Sequence, residues 1–358
     1  MLIYIAYFIF LAVLAVEYEF RPSINKVMLV FVGLLLALLA GFRHPEVARD
    51  YEAYQMVFDS IFTMDSPATL LIYEPGFYAI VFGVRTLFEN NYGIAIMVLF
   101  AFATIAIKLA GINKLAFNPY FVILFYFSHF FILHEMTQIR IGLASGIFLL
   151  SIPYYLRGNR LGFIGMILLA TLFHYSAIFY LLILFFNPRS FNYYFFIGVL
   201  ILSVVFAYLR LPLAGILTRF NIADVSSKLE VYVELGQKGY LEEIRVYNVQ
   251  NLCNIFCCVY LLYLIPKPVL LSDSTLMLFL KCNTISIFLL SFFAGMPTVA
   301  FRFSELFAVV SIFLFAYLVK YLPFSRWNIL FLIMLAGLLF YNTISGGILN
   351  AYKIADFK

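Results

Sequence analysis

Long hydrophobic runs separated by brief polar punctuation fill the chain from Leu2 onward. A bilayer core asks for about 20 apolar residues per helix. On that measure the runs predict spans at 2–17, 27–42, 93–110, 119–134, 139–156, 191–209, 246–265, 275–294, 300–319 and 328–346. Two runs break the rule. Residues 73–88 form a short run that carries Glu74 and Arg85, and 161–187 is too long for one span and too short for two, with His174 at its centre. Placing 73–88 on the surface and reading 161–187 as a pair of short or re-entrant helices gives an all-α polytopic bundle of about 11–12 membrane-entering helices. The whole chain, 1–358, then reads as one transmembrane domain, with an interfacial extracytoplasmic segment at 43–92 and an extracytoplasmic capping loop at 210–245.

Composition agrees with the pattern. Hydrophobic residues make up 65% of the chain and charged ones 11%, against about 25% charged in an ordinary soluble domain. A soluble enzyme is excluded. The net charge of +5 is spread singly between apolar runs, which speaks for topology and site chemistry and against a nucleic-acid patch. Cys253, Cys257, Cys258 and Cys282 lie in apolar runs, where thiols act as small hydrophobes, and no His or carboxylate accompanies them at metal-ligand spacing. Neither a metal nor a cofactor is expected. The first run lacks a basic n-region and a small-residue cleavage site, so it reads as a retained span.

Positive-inside counting sorts the loops. Arg21/Lys26, Lys108/Lys114, Arg157/Arg160, Arg189, Lys267 and Lys320/Arg326 fall on the cytoplasmic side, and 43–72, 134–140, the turn at His174, 210–245 and 295–302 on the other. Both termini join that outer set. Nearly all the candidate chemistry lands there too.

The densest polar stretch is His134-Glu135-Met136-Thr137-Gln138-Ile139-Arg140, set between two runs that are almost purely apolar. Polar groups at membrane spans are costly unless they meet water, protein or a ligand. A helical start would gather His134, Glu135 and Gln138 near Arg140, while the plainer reading is a snorkelling interfacial arginine. Arg43 and Arg49 precede Asp50-Tyr51, and their paired donors match phosphate oxygens; a capped interfacial helix starting near Asp50 is the ordinary alternative. Glu74 stands before Pro75-Gly76 at a helix entrance, where a carboxylate serves either as a cap or as a functional group. His174 is either a hydrogen-bonded core residue or a base at the apex of a broken helix pair. Arg302 either pairs with Glu305 on one helix face or adds a further cation to the outer side. Together Arg43, Arg49, Arg140 and Arg302, interspersed with Asp50, Glu74, Glu135 and His174, suit a ligand with a pyrophosphate head and a lipid tail.

The order Phe42-Arg43, Asp50-Tyr51-x-x-Tyr54, Glu74-Pro75-Gly76-Phe77, Gln138-Ile139-Arg140-Ile141-Gly142-Leu143-Ala144, Phe173-His174-Tyr175-Ser176-Ala177 and Arg302 resembles the EpsG/Wzy-type family of bacterial polysaccharide polymerases. The likeness covers Gly41 to about Glu305. It implies a multi-pass protein of the bacterial inner membrane, active at the periplasmic face, that joins oligosaccharide repeat units carried on undecaprenyl pyrophosphate into O-antigen or a related polysaccharide. A chain-length regulator is an implied partner beside the lipid-linked substrate and the membrane lipids. The arginines would hold the diphosphate, with Gln138, Tyr51 and Tyr54 in support, and Asp50, Glu74, Glu135 or His174 would supply the base. The family commonly has Gly before the Asp-Tyr pair, where this chain has Arg49.

Three other classes compete. A flippase for the same lipid would show repeat symmetry and midplane charges, and neither pattern is visible in the sequence. A ligase moving finished glycan would use the same arginines. An intramembrane serine protease built on Ser145 and His174 lacks the glycine two residues before the serine.

Overall fold

The computed structural model describes residues 1–21, 26–63, 73–88, 90–210, 245–321 and 326–355. All the regular elements among them are helical. The protein is an all-α polytopic membrane protein, as the hydrophobic pattern predicts. Among the described residues five helices are long and apolar enough to cross a bilayer alone, and the number reaches six if Val299–Ala308 and Ser311–Tyr321, a pair bent by 46°, is counted as one broken span. Most of the predicted loop 210–245, residues 211–244, lies outside the described residues.

The chain divides into two compact units, one of residues 1–184 with 315–358 and one of residues 185–314. In the first, α1 (Leu2–Phe20) and α2 (Lys26–Gly41) are followed by a 3-10 turn (Pro45–Val47) and an amphipathic α3 (Tyr51–Thr63). Then come α4 (Pro75–Leu87), the long α5 (Tyr92–Leu115), and α6 (Pro119–Phe125), which runs on as a π-helix over Tyr126–Glu135. After a turn, α7 (Ile139–Leu156) and α8 (Arg160–Thr171) lead to a 3-10 helix (Tyr175–Phe185), and α14 (Arg326–Ser345) closes the unit. The run 161–187 is therefore two short elements with His174 at their elbow. Helix α4 packs one face into the protein: Phe77 and Val81 are fully buried and the Phe77 ring packs 5.8 Å from that of Phe100.

Small residues let these helices approach closely. A Cβ on Gly41 would stand 3.0 Å from the Cα of Val98, and one on Gly111 would stand 3.1 Å from the Cβ of Leu149. That draws α2 and α7 onto α5, which then acts as a depth gauge. From its Tyr92 end it meets Arg43 at Met97, Phe77 at Phe100, and the π-helix at Lys108. At 1.5 Å per residue, Phe100 stands about 12 Å and Lys108 about 24 Å from Tyr92 along the axis. The turn after the π-helix is thus sunk well below the Tyr92 end of α5. Residues 42–48 are fixed from the far end of the sequence: Arg43 bridges to Ile354 and Ala48 to Leu349 in antiparallel fashion, with His44 N–H donating to Lys353 O and Asn350 N–H to Val47 O, both at 2.9 Å.

In the second unit α9 (Tyr193–Leu209), α10 (Val249–Leu264), the short α11 (Lys267–Ser272), α12 (Ser274–Phe292) and α13 (Pro297–Ala308) follow in order. Lys281 of α12 is buried and donates to the carbonyls of Asn187 and Ser190, each at 2.5 Å. Ser286 bonds Ser304 across α12 and α13 at 3.0 Å. The four cysteines are free and buried.

Candidate functional site

Three short motifs, far apart in sequence, meet in the first unit. Pro75 presets the first turn of α4 and leaves Glu74 at its N-cap. Gly76 permits the docking that follows: its N–H donates to Leu172 O at 2.8 Å, and a Cβ there would stand 3.0 Å from that same oxygen. The elbow between α8 and the 3-10 helix is thereby held against the α4 entrance, and Tyr175 adds a hydrogen bond to Tyr73 O at 3.1 Å.

The result is a carboxylate shared by a guanidinium and an imidazole. Arg140, in the first turn of α7, donates to Glu74 Oε2 at 2.6 Å. His174 Nδ1 lies 3.5 Å from Glu74 Oε1, within ion-pair range. The Arg140 guanidinium carbon stands 5.1 Å from the Phe77 ring centre and 5.8 Å from that of Tyr54, so aromatic faces steady its charge. Glu74 belongs to no spanning helix. Its burial alone would raise the carboxyl, but contact with His174 and the charge of Arg140 outweigh it and hold the group at about 2. Burial pushes the Tyr54 hydroxyl up, against the pull of Arg140. The cluster is not sealed: 31% of the Arg140 side chain and 16% of His174 remain accessible, against 6% of Glu74. Both ring nitrogens of His174 are buried and neither has a hydrogen-bond partner among the described residues, the approach of Nδ1 to Glu74 being an ion-pair contact only.

A second charged cluster lies on the other side of the 136–138 turn. Lys108 of α5 donates to Glu135 Oε1 at 2.6 Å and to His134 Nδ1 at 3.1 Å. Tyr126 also donates to Glu135 Oε1, and Ser145 Oγ lies 3.4 Å from His134 Nδ1. Since an ammonium has no acceptor, Nδ1 must accept and the imidazole proton sits on Nε2. Gly142 and Gly146 make the space: a Cβ on Gly142 would meet Glu135 Oε2, and one on Gly146 the Lys108 stem. Lys108 and Glu135 show no exposure at all.

The EpsG family model matches residues 26–353. The chain belongs to the EpsG family. Comparison with curated proteins and with solved structures gives no match. Membership fits a polysaccharide polymerase-like function, and within this EpsG-family protein the predicted residues separate by place. Glu74, Arg140, His174 and Tyr54 come together. Gln138 caps α7 and is half-buried, its carbonyl accepting from Gly142 N–H at 3.0 Å. His134 and Glu135 turn away from Arg140 toward Lys108. Arg43 is buried, donating to Ala40 O and, at 3.5 Å, to Met97 Sδ, with its guanidinium over the Tyr51 ring. Arg49 and Asp50 are exposed in the turn that enters α3, while Arg302 is exposed on α13 of the other unit.

Lys108 and Tyr126 were missed in the sequence. Positive-inside counting groups Lys108 with Lys114 as a cytoplasmic loop charge; the structure makes it a buried member of a spanning helix. Its signal was present, a lysine inside the run Ile105-Ala106-Ile107-Lys108-Leu109-Ala110, where an ionisable group needs a partner. Among the described residues no three His, Cys, Asp or Glu side chains are grouped to hold a metal ion.

Proposed function

We propose that this protein is a lipid-linked oligosaccharide polymerase of the bacterial inner membrane, working at its periplasmic face. It joins repeat units carried on undecaprenyl pyrophosphate into O-antigen or a related surface polysaccharide. The observation that carries the reading is Glu74 bridging Arg140 and His174 in a cluster that remains open to a ligand.

In this reaction a sugar hydroxyl of the incoming unit attacks the anomeric carbon of the growing chain. The new glycosidic C–O bond forms as the bond from that carbon to the pyrophosphate breaks, and undecaprenyl pyrophosphate leaves with the electron pair. Arg140 supports the departing oxygens, since a guanidinium offers paired donors for phosphate and needs no reorganisation when preset by Glu74 and two aromatic faces. Glu74 is too well stabilised as an anion to act as the base. It orients the imidazole instead: with the Nδ1 proton turned toward Glu74, Nε2 carries the lone pair that takes the hydroxyl proton, in the manner of a carboxylate holding a catalytic histidine. Asp50, Arg43, Arg49 and Arg302 have no part in this step.

The test is reconstitution of purified protein with undecaprenyl-pyrophosphate-linked repeat units from the producing cell. Wild type should give a ladder of longer glycans that Arg140→Ala and His174→Ala lose. Labelled lipid crossing the vesicle membrane, with no ladder, would replace the polymerase reading with a flippase.

A further inference from the structure

Near the Tyr92 end of α5, apart from the Glu74 cluster, a pocket of about 340 Å³ opens between the first turns of α3 and the start of α5. Tyr51, Glu52, Gln55, Asn91, Tyr92 and Gly93 line it. Its chemistry differs from the apolar clefts elsewhere, because it offers two phenol rings, two carboxamides and one carboxylate within a single cavity. The half-buried Tyr92 ring for the C–H side of a pyranose, with amides and a carboxylate for its hydroxyls, makes a sugar-binding set.

The pocket is also built in advance. Gln55 Nε2 donates to the Tyr92 hydroxyl at 2.8 Å, and that hydroxyl donates in turn to Asp59 Oδ1. Arg85 stands 4.6 Å from the Tyr92 ring centre and donates to Phe58 O at 2.9 Å, which fixes the ring from behind. Gly93 carries no side chain where the Gln55 amide sits: a Cβ there would collide with Gln55 Oε1. Asn91 holds a left-handed backbone, φ 60°, at the start of α5, a conformation that Asn tolerates better than most residues. The Gln55 amide and the Tyr92 ring and hydroxyl are thus positioned before any ligand arrives.

Position ties the pocket to the reaction. On α3, Tyr51 and Gln55 lie on one face at i and i+4, and Tyr54, next to Gln55, stands over Arg140. Adjacent helical residues point about 100° apart, so the pocket and the Arg140 cluster lie on neighbouring faces of α3.

We infer that the Tyr51–Gln55–Tyr92 pocket is an oligosaccharide subsite that holds a neutral sugar residue of the repeat unit beside the reacting end. The inference rests on the polymerase reading for its place in catalysis, but sugar binding itself can be measured without turnover. Glu52 is exposed at the rim and sets the preference for neutral sugars, because a uronate there would meet a like-charged carboxylate.

The experiment uses the full chain in nanodiscs. The probe is the repeat-unit oligosaccharide released from the producing cell's lipid carrier by mild acid, with tri-galacturonic acid as the acidic counter-probe, and binding is followed by saturation-transfer NMR and calorimetry. Gln55→Ala and Tyr92→Phe should each weaken binding of the released oligosaccharide about tenfold, and Tyr92→Ala more, by removing a preset donor or ring. Arg140→Ala should leave this binding unchanged. Glu52→Gln should admit the galacturonate that wild type rejects. In the polymerisation assay Gln55→Ala should raise KM about tenfold with kcat retained. Wild type that fails to bind the released oligosaccharide, or variants that bind it as wild type does, would overturn the subsite. A chain that binds the glycan at this pocket yet forms no polymer would sink the polymerase reading and leave the subsite standing.

Discussion

The turn at 136–138 separates two clusters made of the same parts. On one side are Arg140, Glu74, His174 and Tyr54; on the other are Lys108, Glu135, His134 and Tyr126. Each has a cation, a carboxylate, an imidazole and a phenol, yet the first leaves 31% of its cation accessible and the second leaves none. Residue type therefore does not distinguish a reaction centre from a structural brace. Access does: unspent atoms occur in both, since His174 Nδ1 and Nε2 in the open cluster and His134 Nε2 and Glu135 Oε2 in the sealed one all lack a hydrogen-bond partner among the described residues. In the sealed cluster Lys108, Tyr126 and Ser145 all converge on Glu135 and His134, and the pair fixes the π-helix against α5.

The largest effect that would test this contrast is on the imidazole. His174→Ala should lower polymerisation by about 10²–10⁴ with the melting temperature preserved, measured on protein of equal monodispersity; equal loss from His134→Ala in a folded protein would erase the distinction. Arg140→Ala should cost about 10²–10³ in kcat, the usual effect of removing one transition-state donor, whereas Arg140→Lys keeps the charge and loses the fork. For the sealed cluster the readout moves from rate to stability. Lys108→Met should destabilise the protein by about 3–5 kcal/mol by stranding a buried carboxylate, and adding Glu135→Leu should return much of that. If the single variant melts like wild type, the brace has been misread.

Acid sharpens the contrast further. The Glu74 carboxyl is depressed to about 2 from an unfolded value of about 4.3, so its contribution to stability is fully present above the unfolded value and is lost as the pH falls through the folded one. The melting-temperature difference between wild type and Glu74→Gln should hold steady from pH 8 to pH 5 and close toward pH 2. A difference that closes already between pH 7 and pH 5 would mean that the Arg140–Glu74 pair does not form. Smaller still is Gly142→Ala, which pushes a methyl at Glu135 Oε2 and should cost about 1–3 kcal/mol without touching kcat directly. Ser145→Ala should cost only about 0.5–1.5 kcal/mol and leave the glycan ladder intact, which also disposes of a serine-protease reading.

Much of the frame was legible. Each hydrophobic run found its helix, and the anomalous stretch around His174 broke where its length said it must. The motifs Glu74-Pro75-Gly76, Gln138-Ile139-Arg140 and Phe173-His174-Tyr175 were visible as local exceptions in apolar surroundings. What the sequence could not convey was pairing across space. Periodicity suggested that His134, Glu135 and Arg140 share a face, but the helix is interrupted at 136–138 and its two sides aim at different partners, Lys108 and Glu74. Lys108 itself was hidden by its place near the end of a run, where a topological charge and a buried one look alike. Arg43 reads in the sequence as a phosphate ligand because its paired donors match phosphate oxygens; its burial against Ala40, Met97 and Tyr51 depends on helix crossings that no local pattern encodes.

The bridges from residues 349–355 to residues 42–48 set an order in time. Glu46 and Asn350 are joined across 304 residues of sequence. At a synthesis rate of about 5–20 residues per second, the loop that carries Arg43 emerges about 15–60 s before the strip that fastens it. Through that interval α2 and α5 can pair in the membrane while the loop between α2 and α3 lacks its final partner. A message truncated just before Leu349 would yield every helix described here and still leave that loop unfastened.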